Sequence, residues 1–168
     1  MVASPLSSTL VTMANPHQKV LVSACLLGRE CRYDARHNRD EQLEDELAER
    51  GQIPVPFCPE EEGGLPTPRP AAWIEKSDAG AVLIGQDRLV TGEGTDVTDA
   101  FVRGAQRTLE RCKELHIQVA YLKERSPSCG VETTHVDGQA VAGPGVTAEL
   151  LGQAGIELHG VQGKRQRK

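Results

Sequence analysis

Lys19-Val20-Leu21-Val22-Ser23-Ala24-Cys25 is the stretch on which the fold turns. Its β-branched and apolar run stops abruptly at a cysteine, in a loop that also contains Gly28. A continuous apolar run with that ending reads as a buried strand of a parallel sheet feeding a loop. Residues 53–57 (IPVPF) form a second such run and end at Cys58. Pro54 and Pro56 cannot donate to a ladder and push this strand toward a sheet edge. Residues 117–122 (IQVAYL) are the third, running into Lys123-Glu124-Arg125-Ser126-Pro127-Ser128-Cys129-Gly130.

Helical periodicity fills the intervals. Residues 40–50 place Leu43 and Leu47 four apart, with acids early and Gly51 as the stop. Phe101, Val102, Ala105, Leu109, Cys112 and Leu115 form the strongest apolar stripe, with Thr95, Asp96 or Thr98 as candidate caps. A last helix covers residues 146–153, and residues 156–161 supply a closing strand. Residues 81–92 read as a β-hairpin around Gly85-Gln86-Asp87. Residues 131–145 are glycine-rich and irregular or hairpin-like around Asp137-Gly138. Residues 59–70 form a long loop of the kind that is either disordered or functional. The expected architecture is a single-domain α/β fold over residues 18–162. It has an open, mostly parallel sheet, flanking helices and an inserted β-hairpin. Residues 1–17 read as a disordered leader and residues 163–168 as a basic tail.

Composition narrows the function. Hydrophobic residues make up 38% of the 168-residue chain but aromatics only 3%, so the core rests on Val, Leu, Ile and Ala. The net charge of −5 argues against a surface that embraces a phosphate backbone, and direct tRNA binding is not expected. Lys164, Arg165, Arg167 and Lys168 read as a solvated end. No apolar run is long enough to span a membrane. Five cysteines without a secretory signal point to the reducing cytoplasm, where thiols serve metals or catalysis more often than disulfides.

Cys25, Cys58 and Cys129 each follow a predicted parallel strand, the end of an open α/β sheet where ligands bind. Three thiolates gathered without a metal would raise one another's pKa. Such a donor set suits a zinc with an open position, or a four-iron cluster with one iron free of protein ligands. Ordinary buried thiols are the plain alternative. Pro59 after Cys58, and Ser128 and Gly130 around Cys129, leave room for a bulky centre and free N–H groups for its sulfides. Cys112 reads as a core thiol, whereas Cys31, six residues after Cys25 in the same loop, reads as a thiol backing the site, a spare ligand or a plain loop residue.

Several separated motifs then occur in a fixed order. They are Val22-Ser23-Ala24-Cys25-Leu26-Leu27-Gly28, Cys31-Arg32-Tyr33-Asp34, Cys58-Pro59-Glu60, Gly63 through Pro70, Asp96-Val97-Thr98, and Ser126 through Gly130. In this order they resemble the thiouracil desulfidase (TudS-like) family across nearly the whole ordered chain. The resemblance implies a 4Fe–4S cluster held by Cys25, Cys58 and Cys129 with one open iron, supplied by cluster-assembly machinery. It implies hydrolytic, non-redox release of sulfide from thiouracil or a related small thiolated pyrimidine, with Glu60 and Ser126 in catalysis. Asp34, Arg32, Arg69, Ser128 and Lys123 are further candidates for holding substrate or offsetting charge. The chain departs from the family pattern at Ala35, where glycine is usual, and at Ala71 and Trp73, where a second proline often follows. Two other functions use the same thiols: a zinc-dependent hydrolase, and a non-catalytic carrier of clusters or sulfur.

Overall fold

The computed structural model describes residues 17–168, so the expected leader lies, apart from His17, outside the described residues. In chain order the elements are β1 (Lys19–Ser23), α1 (Glu41–Glu49), β2 (Ile53–Phe57), α2 (Pro59–Glu62), β3 (Ala72–Ile74), α3 (Ala79–Leu83) and β4 (Leu89–Thr91). They continue with α4 (Thr98–Glu114), β5 (Val119–Lys123), β6 (Thr133–Val136), β7 (Gln139–Ala142), α5 (Val146–Gln153) and β8 (Glu157–Val161). The fold is α/β, with a mostly parallel sheet and flanking helices.

The main sheet has the order β2-β1-β5-β8, and all its pairings are parallel. The strand with two prolines is at its edge, as a missing ladder donor demands. Strand alternation splits β1 between two cores. Val20 and Val22 pack with Leu43 and Leu47 of α1, while Leu21 packs with Cys112 of α4 and Leu151 of α5. Asp40 starts α1 by accepting the Leu43 N–H at 2.9 Å. Asp96 organises the start of α4 by accepting the Thr98 N–H at 2.9 Å.

A second sheet, β4-β3-β6-β7, lies outside the expected architecture. Its β6–β7 pair is the hairpin around Asp137-Gly138, antiparallel from Thr133↔Ala142 to Val136↔Gln139. The hairpin expected over residues 81–92 is not one. Asp78 caps Ala81 at 2.8 Å and turns its first arm into α3, with Ala79 and Val82 buried three apart. The second arm, β4, pairs with β3 instead. A short apolar run has no periodicity to separate helix from strand, so the cap decided the outcome.

Two features fix how the site-bearing segments sit. Gly63 and Gly104 let α2 and α4 touch backbone to backbone. A Cβ on Gly104 would lie 2.0 Å from the Pro59 carbonyl oxygen, and one on Gly63 would lie 2.0 Å from that of Ala100. The basic tail is not simply solvated. Arg165 pairs with fully buried Asp40 at 2.8 Å, and Arg167 pairs with Asp45 at 2.9 Å, so the acidic face of α1 holds it down.

Gly104→Ala is expected to cost about 1–3 kcal/mol by forcing α2 off α4. That is a fall of several degrees in Tm by circular dichroism, and an unchanged Tm would contradict the contact. Arg165→Ala, which strands the Asp40 carboxylate, is expected to cost about 1–2 kcal/mol after allowing for water at the half-exposed guanidinium. Urea titration should show a much smaller effect for Arg167→Ala, whose partner Asp45 is half-exposed rather than buried.

Candidate active site

One cavity of about 320 Å³ opens above the carboxyl ends of β1, β2 and β5, and Cys25, Cys31, Cys58 and Cys129 all line it. All four thiols are free and buried. The short 3-10 turn of Ala24–Leu27 swings Cys25 off the end of β1. Cys58 sits between β2 and α2. Cys129 lies farther from its strand, in the loop after β5, and that loop is pinned from two sides. Glu124, only 4% exposed, accepts the N–H groups of Val131, Glu132 and Thr133 at 2.9–3.2 Å. From the other side, the first N–H groups of α5 bond to the loop: Val146 to the Pro127 carbonyl and Thr147 to the Ser128 carbonyl, at 2.8 and 2.9 Å. A helix start always has such unpaired donors, and here the cysteine loop satisfies them.

The thiols influence one another. Hydrogen bonding to Cys25 and burial push Cys31 up to about 12, against a partial offset from Cys58. Hydrogen bonding to Cys31 and burial push Cys58 well above the usual thiol range. Burial pushes Cys129 up to about 12, although Ser23 and Ser128 hydrogen-bond it and favour its thiolate. Soft donors that ionise only with difficulty by themselves release their protons to a metal. Asn38 supports Cys25: its Nδ2 lies 3.9 Å from Sγ, and Arg32 holds its Oδ1 at 2.9 Å. Cys112 is buried elsewhere, on the inner face of α4, where burial pushes it up to about 11.

Among the described residues, no three His, Cys, Asp or Glu side chains are gathered to hold a single metal ion. A tetrahedral zinc bonds thiolates at about 2.3 Å and needs its donors nearly in contact. The donor set fits an iron–sulfur centre: four soft, buried thiols line one cavity.

Glu60 reaches the same cavity from the first turn of α2. Its Oε1 pairs with Arg69 Nε at 2.9 Å, and its Oε2 accepts the Ser128 hydroxyl at 2.9 Å. Glu61 turns away to Arg29. Arg69 is buried and engaged by the protein itself. Besides Glu60 it donates to the Pro66 and Cys31 carbonyls and to Thr67, at 2.8–3.1 Å. Burial opposes its charge, but Glu60 beside it outweighs this and raises its pKa. Ser126 accepts the N–H groups of Ser128 and Cys129, at 3.2 and 2.9 Å, and its Oγ lies 3.1 Å from that of Ser128. The chain Arg69–Glu60–Ser128–Ser126 therefore runs along the wall beside Cys129.

Lys123 lines the cavity too, with Nζ on the Glu124 carbonyl at 2.8 Å. Burial lowers its pKa, and Arg32 and Arg125 lower it further. Asp34 is not part of the wall. It turns its own loop by accepting the Arg36 N–H at 3.1 Å, with Arg32 at 3.6 Å. The cavity also holds groups that sequence reasoning passed over as lining residues: Asn38, Arg125, His135 and the indole of Trp73. Only Trp73 left a trace in the sequence, as a departure from the family pattern.

With this geometry in place, the comparisons with known proteins agree. The family profile described as 2-thiouracil desulfurase matches residues 20–162. The uncharacterised protein YbbK of Bacillus subtilis (strain 168) is 41% identical over 142 residues, covering 83% of this chain and 93% of YbbK. The solved structure of the 4Fe-4S-dependent thiouracil desulfidase TudS superposes with a TM-score of 0.72 at 39% identity, covering 85% of this chain and 90% of that one. The chain belongs to the 2-thiouracil desulfurase family.

Proposed function

We propose that this protein is a desulfidase that converts the thiocarbonyl of thiouracil, or of a related small thiolated pyrimidine, to a carbonyl by hydrolysis. The carbon–sulfur bond is replaced by a carbon–oxygen bond from water, sulfide leaves, and no electrons are exchanged. The observation that carries this reading is the convergence of Cys25, Cys58, Cys129 and Glu60 on one cavity. Cys25, Cys58 and Cys129 would hold a 4Fe–4S cluster. When bound, the cluster supplies a soft Lewis-acid position for the substrate sulfur.

The protein's own groups do the rest. Glu60 is the proton-transfer group: a carboxylate fixed between Arg69 and Ser128 keeps its direction while it takes a proton from water and returns it to the leaving sulfur. Arg69 orients Glu60 and ties its segment to the Cys31 carbonyl. Ser126 holds the Cys129 N–H and so keeps that thiol in place. Its hydroxyl lines the cavity beside that of Ser128, whose proton goes to Glu60. Lys123, Arg32 and Arg125 put positive charge beside the thiolates, which favours a bound anionic centre and a departing sulfide.

No helix among the described residues is long and apolar enough to cross a membrane. A small-molecule substrate, a cytoplasmic location, and delivery of the cluster by assembly machinery complete the proposal.

Anaerobically reconstituted protein is expected to be brown and to release sulfide from 2-thiouracil. Glu60→Gln should keep the iron and the visible spectrum but lose about 10²–10⁴ in kcat. Full activity in that variant would remove Glu60 from the mechanism. Cys129→Ala should lose bound iron by elemental analysis, whereas Cys112→Ala should retain it. Parental iron content in the Cys129 variant would remove this residue from the ligand set.

A further inference from the structure

The cavity has two kinds of wall. The cysteines and Glu60 come from the segments that follow β1, β2 and β5, whereas the rest of the lining includes two residues of the small sheet, Trp73 on β3 and His135 on β6. Alternation along β3 makes this arrangement unambiguous. Ile74 is fully buried in the core with Phe101 and Val146, so its neighbour Trp73 points to the opposite face. Ile74 pairs with Val136 in β6, which puts His135 on the same face as Trp73. The indole is half-buried and lies against two glycines. A methyl added at Gly138 would stand 3.9 Å from three of its ring atoms, and one added at Gly92 would stand 3.4 Å from Cη2. Its support is thus backbone, and it presents aromatic surface to the cavity.

We infer that Trp73 is the stacking platform for the substrate's heterocycle, and that the Trp73–His135 face of the small sheet decides which rings the site accepts. This rests on the desulfidase reading. A planar thiopyrimidine whose sulfur is directed at the cysteines must lay its ring against whatever lines the rest of the cavity. A rigid aromatic plane serves every pyrimidine because each has a π-face. Shape and stacking, rather than hydrogen bonds from Trp73, then select the ring. Trp73 is a specificity residue, and it leaves proton transfer to Glu60.

Trp73 is the only tryptophan in the chain, so its emission reports on its own surroundings. Cluster-loaded protein titrated with uracil, which carries no sulfur to remove, is expected to show saturable quenching. With 2-thiouracil as substrate, Trp73→Leu should raise KM by roughly tenfold or more, the loss expected when a base–aromatic stack is removed. Its kcat should stay within about twofold of the parent, the pattern of lost binding rather than lost chemistry. Trp73→Phe, which keeps a ring, should restore KM to within about threefold of the parent. A parental KM in Trp73→Leu overturns the inference, and so does an equal rise in the Leu and Phe variants, which would assign Trp73 to packing. Quenching by uracil without any sulfide release from 2-thiouracil would uphold the platform and overturn the desulfidase reading. Sulfide release with unchanged Trp73→Leu kinetics would do the reverse.

Discussion

A single buried carboxylate, Glu124, determines the course of the chain between the main sheet and the cavity. A charge this deep is costly unless hydrogen bonds replace its water, and three successive N–H groups do so. Those donors belong to residues 131–133, so the intervening loop must double back and present Cys129 to the cavity. Glycine is required at two neighbouring points. A Cβ at Gly160 would stand 1.7 Å from the Glu124 carboxylate, and one at Gly130 would stand 2.1 Å from the Thr133 carbonyl oxygen. The loop carrying Ser126, Ser128 and Cys129 is therefore built from the backbone outward, before any metal is considered.

Cys25 is held by a longer route. Asn38 meets Cys25 through its side chain and through its own N–H, which bonds the Cys25 carbonyl at 2.8 Å. Its carbonyl accepts the Lys164 N–H at 3.1 Å, and the next residue, Arg165, reaches Asp40. The basic tail, the start of α1 and the first cysteine loop are thus one hydrogen-bonded unit. Ion pairs at exposed positions contribute little individually. Here the useful one is buried at its acidic end, where Asp40 is both helix cap and arginine partner.

How much of this was legible in the sequence follows from the range of each interaction. Local patterns carried the main sheet: the apolar runs, the prolines of the edge strand, and the leucines of α1 four apart. The small sheet was hidden because β3 and β4 have three residues each and β3 meets β6 through one residue pair. The three cysteines stood out because strand ends are where α/β sheets bind ligands. Glu60 did not stand out among Glu60, Glu61 and Glu62 until the family motif selected it. The structure distinguishes them by partners 9 and 68 residues away, Arg69 and Ser128. Asn38 and Glu124 carry no local signal in the sequence, because their burial comes from tertiary packing.

The separate origin of the two cavity walls has an evolutionary consequence. Mutations in β3 and β6 alter a three- and a four-residue strand whose other face alone is committed to the core. Mutations in the cysteine loops, by contrast, disturb interlocked hydrogen bonds and backbone contacts. Under the proposed function, substitutions in the small sheet would change which rings are accepted while leaving the cysteine loops intact. A library confined to the small sheet is the natural starting material for redirecting the protein toward bulkier thiolated rings.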